Sequence, residues 1–204
     1  MTSAEFADRL LARVANADLS VDDSEIAALE TYFRLLTRWN ARINLTALPL
    51  SEPTDETFDR LFVEPLSAAP FIVDSGLTWF DLGSGGGSPA LPLKIARPGL
   101  HLTMVESKER KTAFLREAVR ELQLEGTEVL TTRFEDLPFR GDVDLVSVRA
   151  VRQDDELFKV AAHLLSATGR LLIFHSRPDE LAPSGFARAH TGPSFAMFHV
   201  EQSR

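Results

Sequence analysis

Apolar positions along the chain keep one rhythm up to about residue 70 and another from residue 77 onward. In the first part they recur at helical spacing. Ile26, Leu29, Tyr32, Phe33, Leu36 and Trp39 fall three or four apart, behind Asp22, Asp23 and Ser24, which offer N-cap oxygens. A second helical pattern starts near Thr54 and Asp55 and carries Phe58, Leu61, Phe62 and Leu66, with Pro65 expected to kink or end it. From Leu77 short apolar runs alternate with amphipathic stretches. LTWFDL, HLTMVE, TEVLTT, DVDLVSV and GRLLIFH read as five strands, separated by helices expected over 89–96, 108–122 and 155–165. Such alternation predicts βαβ units and a parallel sheet covered on both faces. FARAH and FAMFHVE then read as a closing hairpin around the turn formers Gly192 and Pro193.

Two parts are expected: a helical extension over 1–70 and an α/β unit over 71–204. With 44% apolar and 25% charged residues the chain reads as soluble and globular. No apolar run approaches the roughly 20 residues of a membrane span, so no membrane partner is expected. The start, MTSAEFADRLLARV, has no basic, apolar leader pattern, and there is no cysteine for disulfide or thiolate chemistry. A cytoplasmic location and a monomer are the expectations. The five histidines show no metal-ligand spacing, and no metal is expected. A net charge of −8 excludes a uniformly basic, nucleic-acid-coating surface. It leaves room for local patches at Arg34, Arg38 and Arg42, at Lys108, Arg110 and Lys111, and at Arg149 and Arg152.

Candidate chemistry concentrates in DLGSGGGSPALPL, residues 81–93, between the first strand and the helix after it. Ligands of parallel α/β sheets bind outside the carboxyl ends of the strands, and glycines there admit a ligand to the backbone. The loop does not fit GxGxxG, because Ser88 holds the last place, and there is no GxxxxGK[ST]. What remains is an acid followed by GxGxG: Asp81, Gly83, Gly85 and Gly87. That form suits S-adenosylmethionine, whose sulfonium and amine favour a nearby carboxylate. A second acid, Glu106, ends the next strand, where it can accept both ribose hydroxyls. Asp81 has a simpler alternative role as a helix cap.

In these residues the chain resembles the ribosomal RNA small-subunit methyltransferase G family, also called glucose-inhibited division protein B. The resemblance runs from about Glu30 to Phe174, through YFRLLTRWNARINLTAL, the glycine loop, TRFEDL and SVRAV. It implies a class I, Rossmann-like methyltransferase fold: a mostly parallel seven-stranded sheet with helices on both faces and an N-terminal helical extension. It implies methyl transfer from S-adenosylmethionine to N7 of a guanine in 16S ribosomal RNA, with the RNA or the small ribosomal subunit as partner. Carried over by position, Gly83 and Ser88 resemble cofactor contacts, Glu106 the ribose acid, and Phe134 and Glu135 the residues flanking the adenine. Arg149 resembles the arginine facing the cofactor and the methyl-transfer site. The chain departs from the family pattern at Phe62, Glu64-Pro65, Ser88, Ala90 and His175.

Guanine N7 has a free lone pair and no proton to lose, so no general base is required, and SVRAV offers none. Arg149 can donate to guanine O6 or pair with an acid such as Asp144 or Glu135. Asn40 and Asn44 can fix the WNARINLT turn by Asx hydrogen bonds, and Trp39 reads as core. Two other function classes fit the same residues: a relative that binds RNA or cofactor without turnover, and a methyltransferase of a small molecule.

Overall fold

The computed structural model describes residues 1–138, 140–174 and 182–201. His175 lies outside the described residues. The chain opens with two long helices, α1 (Ser3–Asn16) and α2 (Asp23–Asn40), each started by a capping box, on Thr2 with Glu5 and on Asp22 with Glu25. A third helical run follows. It begins as α3 (Asp55–Phe58), widens into a π turn over Asp59–Val63, and resumes as α4 (Glu64–Ala68). Pro65 therefore neither ends nor simply kinks the helix. The wider turn sits directly before it, where an i−4 carbonyl would otherwise meet its ring.

The sheet is built from β1 (Thr78–Leu82), β2 (His101–Glu106), β3 (Thr127–Thr131), β4 (Val143–Arg149), β5 (Leu165–Phe174), β6 (Phe186–Thr191) and β7 (Phe195–Val200). Its order is β3-β2-β1-β4-β5-β7-β6. The first five strands run parallel, and β7 pairs antiparallel with β5 and β6 as the expected hairpin. Helices α5 (Ala90–Ala96), α6 (Glu109–Glu121) and α7 (Asp155–Leu164) connect the parallel strands. The expected helix over 155–165 stops one residue early. Strand β5 takes over at once and runs ten residues, because Leu165 pairs with Val143 across an irregularity in β4.

Strand alternation sorts the core into two faces. Trp79 and Leu145 point to the face covered by α1 to α6, with Leu36, Leu91 and Phe114. Phe80, Leu82, Val146 and Val148 point to the other, covered by α7 through Leu157, Ala161 and Leu164. Lys94 on α5 is buried without an acid. Its Nζ donates to the carbonyls of Pro98 and Leu100 at 2.7 and 2.5 Å, tying the end of α5 to the start of β2, and burial lowers its pKa. The N-terminal helices are held together by aromatic packing. Phe6 on α1 lies 5.6, 5.4 and 5.6 Å, centroid to centroid, from Phe33, Phe58 and Phe62.

Because Phe6 is fully buried at that junction, Phe6→Ala is expected to lower unfolding free energy by roughly 3–5 kcal/mol, as read by urea denaturation.

Candidate active site

The strand order reverses around β1. The chain steps outward to β2 and β3, then returns to place β4 on the other side of β1. The carboxyl ends of β1, β2 and β4 thus open onto a common crevice, the position where such sheets take ligands. The glycine loop leaves β1 into it. Gly83, Gly85 and Gly87 have φ of +77°, +52° and +87°, a region closed to most side chains. The amides of Gly83 and Ser84 both donate to the Val105 carbonyl of β2, at 2.8 and 3.1 Å.

The glycines are bare for different reasons. A Cβ on Gly83 would sit 2.6 Å from Val151 Cγ2, and one on Gly87 2.5 Å from Leu91 Cδ1. Those two make room for the protein's own packing. A Cβ on Gly85 would meet nothing nearer than 3.7 Å, so packing does not demand glycine there. Gly85 is the positive-φ position of the run whose bare face is least crowded, with only the Gly83 carbonyl oxygen at 3.7 Å.

Two adjoining hollows share Gly83 and Glu106. The first, about 490 Å³, is lined by Val105, Lys108, Phe134 and Glu135, the last two from a 3₁₀ turn after β3. The second, about 730 Å³, lies between the glycine loop and the N-terminal extension and reaches Gly85, Ser88 and Arg149. Glu106 stands between them. One carboxylate oxygen accepts from the Gly85 N–H at 3.1 Å, and the other from the Lys108 N–H at 2.9 Å. Arg133 pairs with Glu135 at 2.7 Å and holds its pKa below the usual range.

The structure therefore brings Gly83, Gly85, Ser88, Glu106, Phe134, Glu135 and Arg149 to the crevice walls. It places Asp81 and Gly87 elsewhere. Asp81 is buried beneath the loop, lines neither hollow and does not cap α5. Its carboxylate accepts from the Ser147 hydroxyl, which in turn accepts from the Trp79 indole at 2.8 Å. Asp81, Trp79 and Ser147 meet because they share the helix-rich face of adjacent strands, with Asp81 opposite Ser147 in the register. Burial pushes the Asp81 pKa up to about 6, against the pull of Ser147, Ser84 and the Arg149 charge.

Arg149 ends β4, and its partner is neither Asp144 nor Glu135. It forms an ion pair with Glu64 and donates from Nη1 to the Arg60 carbonyl at 2.6 Å and to Ser88 Oγ at 3.2 Å. The broken helix explains these acceptors. The Glu64 N–H donates to Asp59 across the π turn, which frees the Arg60 carbonyl, and Pro65 has no N–H to offer Leu61. Arg149 takes the first carbonyl, and the Ser88 hydroxyl reaches the second at 3.2 Å. Burial raises the Glu64 pKa and lowers that of Arg149, while their contact pulls each back toward its charged form.

Three wall-building residues were not singled out as site residues in the sequence. Tyr32, the one tyrosine in the chain, sits in the apolar stripe of α2, yet its hydroxyl donates to the Gly86 carbonyl at 2.7 Å and pins the loop from the helical side. Burial raises its pKa. A tyrosine in a core stripe needs a partner for its hydroxyl, and that was the available signal. Glu64 is the second. Asn40, expected only to fix a turn, accepts from the amides of Leu45 and Thr46 at 2.8 and 3.0 Å and so shapes residues 45–49, which wall the larger hollow. Trp39 packs on Phe114 as expected of core.

Residues 25–187 match the family model described as rRNA small subunit methyltransferase G. The chain belongs to that family. It is 39% identical over 156 residues to ribosomal RNA small subunit methyltransferase G of Stenotrophomonas maltophilia (strain R551-3), covering 76% of this chain and 71% of that protein. It is 31% identical over 184 residues to the protein of the same name from Chromobacterium violaceum, covering 88% and 86%. In fold it resembles a SAM-dependent methyltransferase from Aquifex aeolicus, with TM-score 0.53, 15% identity and 70% and 90% coverage. It also resembles the mitomycin 7-O-methyltransferase MmcR, with TM-score 0.57, 18% identity and 71% and 55% coverage. The class I methyltransferase fold is thus shared. Among the described residues no helix is long and apolar enough to cross a membrane, and no cluster of three metal-binding side chains occurs.

The buried Asp81 gives a pH test. Between its ordinary 3.8 and about 6 the folded chain keeps a proton that the unfolded chain releases. Its contribution to folding therefore falls as pH rises through that window, by on the order of 3 kcal/mol. Asp81→Asn is expected to remove this slope, so its stability relative to wild type rises from about pH 4 to about pH 7 in urea titrations.

Proposed function

We propose that the chain transfers a methyl group from S-adenosylmethionine to N7 of a guanine in 16S ribosomal RNA. The observation that carries the cofactor assignment is the Glu106 carboxylate, shared by both hollows and held against the bare Gly85 amide. The residues present fit the cofactor. Glu106 suits ribose hydroxyls, Phe134 offers a flat apolar wall for the adenine, and the open face of Gly85 leaves room at the amino-acid end. Gly83 and Ser88 stand on the same rim, with Glu135 beside Phe134. When bound, the cofactor supplies a methyl group activated by its sulfonium.

The rest falls to the protein. Guanine N7 would take the methyl with its lone pair as the sulfur–carbon bond broke, so no proton would leave N7 and no residue would need to act as a base. The chain's task is to align the base and exclude water. Arg149, fixed from behind by Glu64 and the Arg60 carbonyl, presents a positive group at the crevice wall. It stands for guanine O6 in this reading. The family's name supplies the RNA class. Arg42, Lys108, Arg110 and Lys111 form no ion pair among the described residues, and Lys108 and Lys111 line the hollows. By contrast Arg34 and Arg38 pair with Glu30 and Glu117, and Arg152 with Asp154. Two of these cations, Lys108 and Lys111, thus stand at the crevice of an acidic protein, where a phosphate could meet them. A monomer acting in the cytoplasm, where ribosomal RNA is found, belongs to this reading.

Incubation with methyl-labelled S-adenosylmethionine and 16S RNA or small subunits is expected to leave label as N7-methylguanine. Label confined to small molecules, or none with cofactor still bound, contradicts the proposal. Arg149→Ala should slow transfer roughly 10- to 100-fold, the loss of one charge-assisted bond. It should also lower the melting temperature, because Glu64 is left unpaired. The double variant Arg149→Ala, Glu64→Gln should recover the melting temperature while transfer stays slow. Recovery of both would make Arg149 structural only. Gly85→Ala should cost about 1–2 kcal/mol of stability through its left-handed backbone, as read by urea denaturation, and should weaken binding of S-adenosylhomocysteine, as measured by calorimetry.

A further inference from the structure

Two acids line the larger hollow, Glu56 and Glu106. Glu106 is committed to the Gly85 and Lys108 amides. Glu56 is not. Its side chain is 72% exposed, and its ion pair with Arg60 is a loose 3.8 Å contact. A pair so exposed adds almost nothing to stability. Nor does the first turn of α3 depend on it, since Asp55 already supplies an acid there and pairs with Arg9 and Arg13. An unneeded carboxylate at the mouth of a polyanion's site weakens binding. Its presence calls for a donor on the substrate.

We propose that Glu56, with Arg60 beside it, reads the six-membered-ring edge of the target guanine and is a specificity-determining residue. The proposal rests on the guanine-N7 reading above. That edge carries an acceptor, O6, next to two donors, N1–H and the 2-amino group. A guanidinium standing loosely beside a carboxylate is its complement, and the base takes the place of the weak 3.8 Å pair. O6 lies between N1 and N7 and has two lone pairs, so it accepts from Arg60 on the N1 side and from Arg149 on the N7 side, and N7 stays uncovered to face the glycine loop. Adenine has the opposite polarity: its 6-amino donor would face the cation and its N1 acceptor the carboxylate, leaving both unsatisfied.

The test measures transfer to 16S RNA carrying, by splinted ligation, either guanine or hypoxanthine at the nucleotide the wild type methylates. Hypoxanthine keeps N7, O6 and N1–H and lacks only the 2-amino donor. Wild type is expected to prefer guanine by at least about 10-fold. Glu56→Ala is expected to erase that preference by slowing guanine to the hypoxanthine rate, with S-adenosylhomocysteine affinity and melting temperature unchanged. A wild type indifferent to the 2-amino group, or a variant that keeps the preference, overturns the proposal. A wild type that labels no guanine N7 in natural 16S RNA overturns instead the reading on which it rests.

Discussion

The guanidinium of Arg149 joins the end of β4 to the N-terminal helices, and it can do so because the helical run from Asp55 to Ala68 leaves carbonyls without helical donors. A regular helix would consume them. The π turn over Asp59–Val63 and the missing N–H of Pro65 release those of Arg60 and Leu61, and Arg149 and Ser88 take them up. Glu64, one turn further on, adds the opposite charge. The end of β4 and the start of α5 are thereby fastened to the N-terminal helices at the floor of the crevice. The glycine loop is held in the same way from two sides, by Tyr32 on the Gly86 carbonyl and by Glu106 on the Gly85 amide. A surface built so tightly suits a reaction that needs alignment more than proton transfer.

Much of this was legible in the sequence. The alternation of apolar runs and amphipathic stretches predicted the five parallel strands and the closing hairpin, because buried parallel strands and two-faced helices leave different periodicities. The acid-GxGxG loop and Glu106 located the crevice, since chain order alone puts the first strand's loop beside the second strand's end. The pattern failed where partners are distant in sequence. Glu64 looked like a departure from the family and proved to be the counter-ion of Arg149, 85 positions away. Tyr32 was absorbed into a core stripe, because periodicity records where a ring goes and not where its hydroxyl points.

The glycine motif shows the same limit at finer grain. All of its glycines look alike in the sequence, and the structure gives them different tasks. Gly83 and Gly87 yield space to Val151 and Leu91, while Gly85 alone of the three positive-φ positions has no neighbour nearer than 3.7 Å. Asp81, the motif's acid, lies below the crevice in a hydrogen-bonded chain with Ser147 and Trp79, where it braces the strands that carry the loop. Net charge was an equally coarse guide. Acids neutralise many arginines, and the cations left unpaired around the crevice are what a phosphate backbone would meet.

A crystal structure of the chain with S-adenosylhomocysteine tests the central claim most directly. The account predicts the ribose hydroxyls on the Glu106 carboxylate, the adenine against Phe134, the amino-acid end over Gly85, and the sulfur on the side of Arg149. A nucleoside bound away from Glu106, or the crevice between β1 and β4 closed by the protein's own side chains, would contradict it.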